Sequence, residues 1–288
     1  MPFLGSVDCP LRLGSGALDS PLLTGSLGAL VGLVMALTGA GGGVLAVPLL
    51  IFGLHLTMQQ AAPVSLLAVG TAAILGALLG LREGVVRYRA AALMGGMAMV
   101  TAPLGVWLAH QLPSRPLLIG FAAVLGWTAW RMFRLGQAVA PRGSATRQQR
   151  CRIDPRHGRL RWTAPCARAL GGTGLAAGLL SGLLGVGGGF VIVPSLTHHT
   201  DLDAHSIAAT SLAVIALAAL SGIVTASGQG SLNWPLAGTF GGGAVLALLA
   251  GRRVARHLPA AVLQRSFAAV SVFVALLMLA RGLGWLST

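Results

Sequence analysis

Two glycine clusters carry the first chemical possibility in this sequence: Gly39-Ala40-Gly41-Gly42-Gly43 and Gly185-Val186-Gly187-Gly188-Gly189. Each leads into an apolar run, through Val44-Leu45 in one case and Phe190-Val191 in the other. Where a helix restarts after a break, its first backbone N–H groups lack an acceptor within the helix. The helix dipole adds partial positive charge at the same place. Such a terminus holds an anion without any basic side chain. The expected contacts are therefore Gly41, Gly42, Gly43 and Val44 in one segment, and Gly187, Gly188, Gly189 and Phe190 in the other. Neither cluster is a dinucleotide fingerprint, because Val44 and Phe190 stand where G-x-G-x-x-G needs its last glycine. The competing reading is that the glycines only let helices pack closely.

Polar side chains within apolar stretches are few. Ser65, Thr71, Thr210, Ser211 and Asn233 could donate to the oxygens of an anion. Hydroxyls in helices equally often bond the carbonyl a turn back. His198, His199, Asp201, Asp203 and His205 suggest a metal cluster, but a solvated loop is the expected reading, with no metal or cofactor. The acidic residues are Asp8, Asp19, Glu83, Asp154, Asp201 and Asp203, and none falls inside an apolar run. Proton coupling through an intramembrane carboxylate therefore lacks its parts. Glu83 lies among arginines and reads as their solvated partner. No Ser–His or carboxylate pair sits at depth for hydrolysis, so an enzyme is not expected. A membrane-embedded metal-dependent enzyme using the His198–His205 loop, or a non-catalytic membrane subunit, stand as the alternatives. Cys9, Cys151 and Cys166 have no metal-ligand spacing, and their odd number argues against a disulfide framework.

The elements that must position these residues follow from composition. The chain has 288 residues, 55% hydrophobic and only 9% charged. Soluble domains carry about 25% charged residues, so lipid must cover this surface. All twenty basic residues are arginine, and ten fall between Arg131 and Arg168. A nucleic-acid module would set such charge on a soluble core; here it lies between apolar runs, as cytoplasmic loops do. No nucleic-acid partner is expected, and the bilayer is. The charge-free runs are Pro21–Leu54, Ala61–Leu81, Ala90–Ala109, Pro116–Trp130, Ala169–Thr197, Ile207–Thr225, Trp234–Ala250 and Ser266–Ala280. None alternates with period two, which disfavours a barrel. The fold class is an all-α polytopic membrane protein. As single helices, Pro21–Leu54 and Ala169–Thr197 would be about 51 Å and 44 Å long, against a hydrocarbon core of about 30 Å. Each is expected to break at its glycines, as a re-entrant hairpin or a discontinuous helix. Irregular backbone at that depth must be covered by protein or line a cavity.

The halves match. Displacing the chain by 146 residues sets Gly39–Gly43 on Gly185–Gly189, Val47-Pro48 on Val193-Pro194, Ser65-Leu66 on Ser211-Leu212, and Leu112-Pro113 on Leu258-Pro259, without a gap. The expected organisation is an N-terminal tail (1–20), a first repeat (21–136), an Arg-rich cytoplasmic linker (137–167) and a second repeat (168–288). Each repeat has a glycine-broken segment plus three transmembrane helices. If both broken segments are hairpins, each half crosses three times and the second is inverted. Arg82, Arg87, Arg89, Arg252, Arg253, Arg256 and Arg265 then share the linker's side, with Arg115 and Arg281 opposite. Positive-inside bias favours that arrangement, with both termini periplasmic, over one in which each broken segment crosses once. A nine-span variant stays open. Duplicated halves are the usual build of secondary transporters, with the substrate at their interface.

The pattern Gly-x-Gly-Gly-Gly followed by Pro, at Gly39–Pro48 and Gly185–Pro194, resembles the sulfite exporter TauE/SafE family of bacterial membrane permeases. So do Thr210-Ser211-Leu212, the turn Gly230-Ser231-Leu232-Asn233-Trp234, and the arginines before Leu258-Pro259. The likeness spans roughly 25–284. The first half departs from it, with Pro63-Val64-Ser65-Leu66 and an Arg87 where the second half has Asn233. The resemblance implies export of sulfite, a sulfonate or a related small anion across the inner membrane of a bacterium. The oligomeric state is left open.

Overall fold

A computed structural model describes residues 21–38, 42–137, 151, 163–200, 202–228, 230, 233–255 and 272–280. Its regular structure is helical: α1 (Pro21–Thr38), α2 (Gly42–Gly53), α3 (Met58–Arg82), α4 (Tyr88–Gln111), α5 (Ser114–Gln137), α6 (Ala164–Leu184), α7 (Gly189–His199), α8 (Ala204–Gly228), α9 (Trp234–Ala255) and α10 (272–280). Five of these, α3, α4, α6, α8 and α9, are long and apolar enough to cross a membrane. The outer surfaces of α4, α5 and α9 carry Trp107, Trp127, Trp130, Tyr88 and Trp234, all exposed, as amphipathic rings at a lipid interface would be.

Both overlong apolar segments divide. The first runs as α1 and then α2, with the intervening 39–41, and so Gly41, outside the described residues. Gly42 lies against Val31 and Met35, and Gly53 against Leu27, so α2 runs back along α1. At twelve residues α2 is about 18 Å long, too short to span. The second divides as α6 and α7 through Gly185, Val186, Gly187 and Gly188. Gly188 lies against Ala177, and Thr173 Oγ1 and Ser195 Oγ share a hydrogen bond of 2.7 Å. α7 therefore folds back along α6. Two hairpins result.

The hairpins pack across the chain. α1 lies on α9, where Gly28 and Gly32 meet the backbone of Phe240 and Ala244. α6 lies on α4, where Gly174, Gly178 and Gly182 meet Met94, Ala98 and Ala102. In lipid, helices gain little from the hydrophobic effect between them, and close backbone approach through small residues supplies the attraction. α3 and α8 pack on each other between these pairs.

The molecule's ends differ in charge. At one end Glu83, closing α3, meets Arg252 of α9 and His205 of α8. The Arg87 N–H there donates to Thr210 Oγ1, and Cys151 pairs with Thr200 at the end of α7. At the other end Gln59 Nε2 donates to the Leu112 carbonyl and Thr24 bonds Thr239.

Two features here were not read from the sequence. Cys151 and Cys166 form a disulfide: an odd cysteine count excludes a full framework but not a single pair. α6 begins at Ala164, inside the stretch assigned to the linker. Pro165 reads as loop punctuation, yet a helix tolerates proline in its first turn, where the missing N–H is no loss. Thr163 caps that turn by accepting from the Cys166 N–H.

Candidate functional site

The two breaks meet. Gly43, at the start of α2, stands directly against the Val186 carbonyl of the second break, leaving no room for a Cβ. Val69 of α3 touches both Gly43 and Gly187, and Ile215 of α8 closes over Gly187. Val69 and Ile215 sit near the midpoints of α3 and α8, so the meeting point lies midway along the longest helices. Gly42, Gly43, Val44, Gly185 and Gly187–Phe190 are all buried.

Irregular backbone at this depth needs partners, and the neighbouring helices supply them. Gly185 caps α6 in the left-handed region, at φ 71°, its N–H donating to the Ser181 carbonyl. Its own carbonyl accepts from the Ser65 hydroxyl. Gly187 and Gly188 are also left-handed, at φ 78° and 68°, a conformation that costs a residue with a Cβ roughly 1–2 kcal/mol. α7 then starts with Gly188 as a cap that has no side chain, and only Val191 and Ile192 turn back to the Gly188 carbonyl. The N–H groups of Gly189 and Phe190 have no acceptor within the helix. The N–H groups opening α2, from Gly42 through Val44, are in the same position. Two positive helix ends thus converge on one buried point.

The sequence candidates separate. Gly42, Gly43, Val44, Ser65, Gly187, Gly188, Gly189 and Phe190 are gathered at or beside the breaks. Ser211 is buried in α8, donating to the Ala208 carbonyl at 2.8 Å. Thr210 is occupied as the acceptor for Arg87 at the arginine end. Asn233 caps α9, its Oδ1 accepting from the Leu236 N–H at 3.3 Å, and is exposed. Thr71 donates to the carbonyl three residues back.

Around the arginine end, Arg252 reaches two partners: Glu83 at 3.2 Å and the Gly76 carbonyl, inside α3, at 3.1 Å. His205 lies 3.5 Å from Glu83. Glu83 as a partner for arginine was legible in sequence, but the arginine's identity, across 169 residues, was not. Asp203 accepts from the Ser206 N–H. Partial burial raises its carboxyl, but the Ser206 side-chain and backbone bonds, with His205 nearby, hold it below the usual range. Among the described residues no group of three His, Cys, Asp or Glu could hold a metal.

Beside the second break a small apolar cleft runs between α3, α4 and α6. Its lining passes from Gln59 and His110 at the low-charge end to Ala62, Val106, Gly182 and Leu183. The sequence profile of the sulfite exporter TauE/SafE family matches residues 25–278, which contain every helix of the site. The chain belongs to that family. It is 28% identical to a probable membrane transporter protein of Xylella fastidiosa strain Temecula1, and 27% to that of strain 9a5c. Each alignment takes in 90% of this chain and 95% of the relative. No solved structure matches it. With its apolar helices, this member of the sulfite exporter family is a multi-pass membrane transporter.

Proposed function

We propose that the chain exports a small sulfur-containing anion across the bacterial inner membrane, held where the two broken helices meet. The observation that carries the reading is the contact of Gly43 with Val186: the starts of α2 and α7 face one buried point, and the carboxylates among the described residues, Glu83 and Asp203, lie elsewhere. The family name supports the substrate class.

Two inverted repeats are the architecture that goes with it. α3 and α8 start 146 residues apart, as do α4 and α9. The contacts of Gly28 with Phe240 and Gly32 with Ala244 recur, at the same displacement, as Gly174 with Met94 and Gly178 with Ala98. Cys151 joins the start of α6, through its disulfide to Cys166, to the end of α7, through its pairing with Thr200, at the arginine end, whereas Thr24 of α1 bonds α9 at the other. The hairpins enter from opposite sides on this reading, and the arginine end is cytoplasmic by positive-inside bias.

An inside-negative potential drives an anion outward by about 2.3 kcal/mol per charge per 100 mV. Efflux of radiolabelled sulfite, sulfoacetate, thiosulfate and sulfate from proteoliposomes, at imposed potentials, tests the proposal. We expect one of the sulfur anions to move, faster as the interior is made more negative. Flux that ignores voltage and follows a pH gradient would overturn the coupling, and no flux of any of the four would overturn the substrate class.

A further inference from the structure

Resting on the proposed transport function, we infer that Ser181 and the start of α7 form an oxyanion subsite within one hairpin only. Ser181 is fully buried, and among the described residues its Oγ is the one buried hydroxyl without a hydrogen-bond partner. The other buried hydroxyls are spoken for. Ser65 donates to Gly185, Ser195 pairs with Thr173, Thr200 and Ser211 bond carbonyls a turn back, and Thr210 accepts from Arg87. A buried hydroxyl left alone carries its full desolvation cost, so this one asks for a partner the protein does not supply.

Its direction follows from helix geometry. Thr173, Ala177 and Ser181 are spaced by four and form one stripe of α6. Thr173 bonds Ser195 of α7, and Ala177 lies against Gly188. Ser181 is the next step of that stripe, towards the break and the first turn of α7. The face that packs on α4 is a separate stripe, Gly174, Gly178 and Gly182.

At that place, beside the last carbonyls of α6, stand three donors. They are the Ser181 hydroxyl and the N–H groups of Gly189 and Phe190 at the positive end of an eleven-residue helix whose cap is a bare glycine. The acidic side chains among the described residues, Glu83 and Asp203, lie at helix ends elsewhere. Three donors around the positive end of α7 suit the oxygens of a compact oxyanion such as sulfite or a sulfonate head. The first hairpin differs. Its residue 146 positions earlier is Met35, fully buried and with its Cβ packed against Gly42 at the start of α2. Thioether and methylene occupy the place where α6 offers a hydroxyl, so the two hairpins are chemically unequal and one anion binds per chain.

The test measures binding and flux separately. Radiolabelled sulfite binding to purified full-length protein in detergent, and sulfite efflux from proteoliposomes, are compared for wild type, Ser181→Ala, Ser181→Thr and Met35→Ala. A hydrogen bond to a charged group predicts that Ser181→Ala weakens sulfite binding about ten- to a hundredfold. Ser181→Thr keeps the hydroxyl and stays within about threefold of wild type on the same reasoning. Met35→Ala leaves the affinity and the one-to-one stoichiometry in place. Size-exclusion profiles and melting curves confirm that each variant is folded; should Ser181→Ala not fold, Ser181→Cys, with its weak donor, takes its place. Wild-type binding that Ser181→Ala leaves unchanged overturns the subsite and leaves transport standing. Ser181-dependent binding without flux supports the subsite and overturns the transport function. Two anions bound per chain would overturn the asymmetry.

Discussion

Gly187 holds the second break open against two opposing constraints. Its φ of 78° lies in the left-handed region, and a Cβ there would come within 2.8 Å of Ile215 and 3.0 Å of Val69. Gly84 is the natural control: its φ is similar, 69°, but nothing lies within 4 Å. Gly84→Ala should therefore cost only the backbone term, about 1–2 kcal/mol. Gly187→Ala adds overpacking of a closed core, a further 1–3 kcal/mol or so. Thermal unfolding in detergent should order the two variants well below wild type, with Gly187→Ala the lower. Equal melting temperatures would mean that the break relaxes freely. At this scale the sequence was informative about glycine and poor about hydroxyls. Paired positions such as Ser65 and Ser211 attract notice because a displacement of 146 residues aligns them, yet Ser65 serves the Gly185 carbonyl. Ser181 falls on Met35 at that displacement, so the same comparison hides it. Asn233 and Thr210 are polar residues beside apolar runs, and only coordinates separate a helix cap from a pore-lining group.

Length made the breaks legible: 34 uncharged residues cannot be one span, and three glycines in a row mark where the helix is interrupted, while a hairpin over a discontinuous helix was favoured only by the placement of the arginines. What the chain packs against was not legible, because an all-apolar helix has no polar face to indicate its neighbours. The exchange of α1 onto α9 and α6 onto α4 is specified by small residues meeting backbone, a signal spread over Gly28, Gly32, Gly174 and Gly178. The disulfide was hidden for another reason. Cys151 and Cys166 are 15 residues apart in a stretch whose composition reads as linker, and pairing depends on α6 starting early enough to carry Cys166. The bond closes a loop of a size whose entropy is worth about 3 kcal/mol. Alkylation of the air-oxidised protein, unfolded in detergent without reductant, should modify one thiol per chain, that of Cys9, and three after reduction. Three thiols before reduction would remove the pairing.

Across the whole molecule, charge and disulfide chemistry pull in different directions. The end that gathers Arg82, Arg87, Arg252 and Arg253 also holds Cys151 and Cys166. Positive-inside bias predicts that end to lie in the cytoplasm, where thiols are kept reduced. Ten arginines between Arg131 and Arg168 outweigh one cysteine pair in setting insertion, because translocating each of them at the bilayer centre costs about 2.5–3.5 kcal/mol. A membrane-impermeant maleimide decides between the two. In a chain whose native cysteines are replaced by serine, Gln111→Cys sits at the low-charge end of α4 and Tyr88→Cys at its arginine end, both at exposed positions. Intact cells should label Gln111→Cys, with Tyr88→Cys labelled only once the membrane is permeabilised. The opposite pattern would place the disulfide in the oxidising compartment and reverse the direction in which the membrane potential pushes an anion through the site. Labelling of both from outside would mean that α4 does not cross, and with it would go the three crossings per half on which the inversion rests.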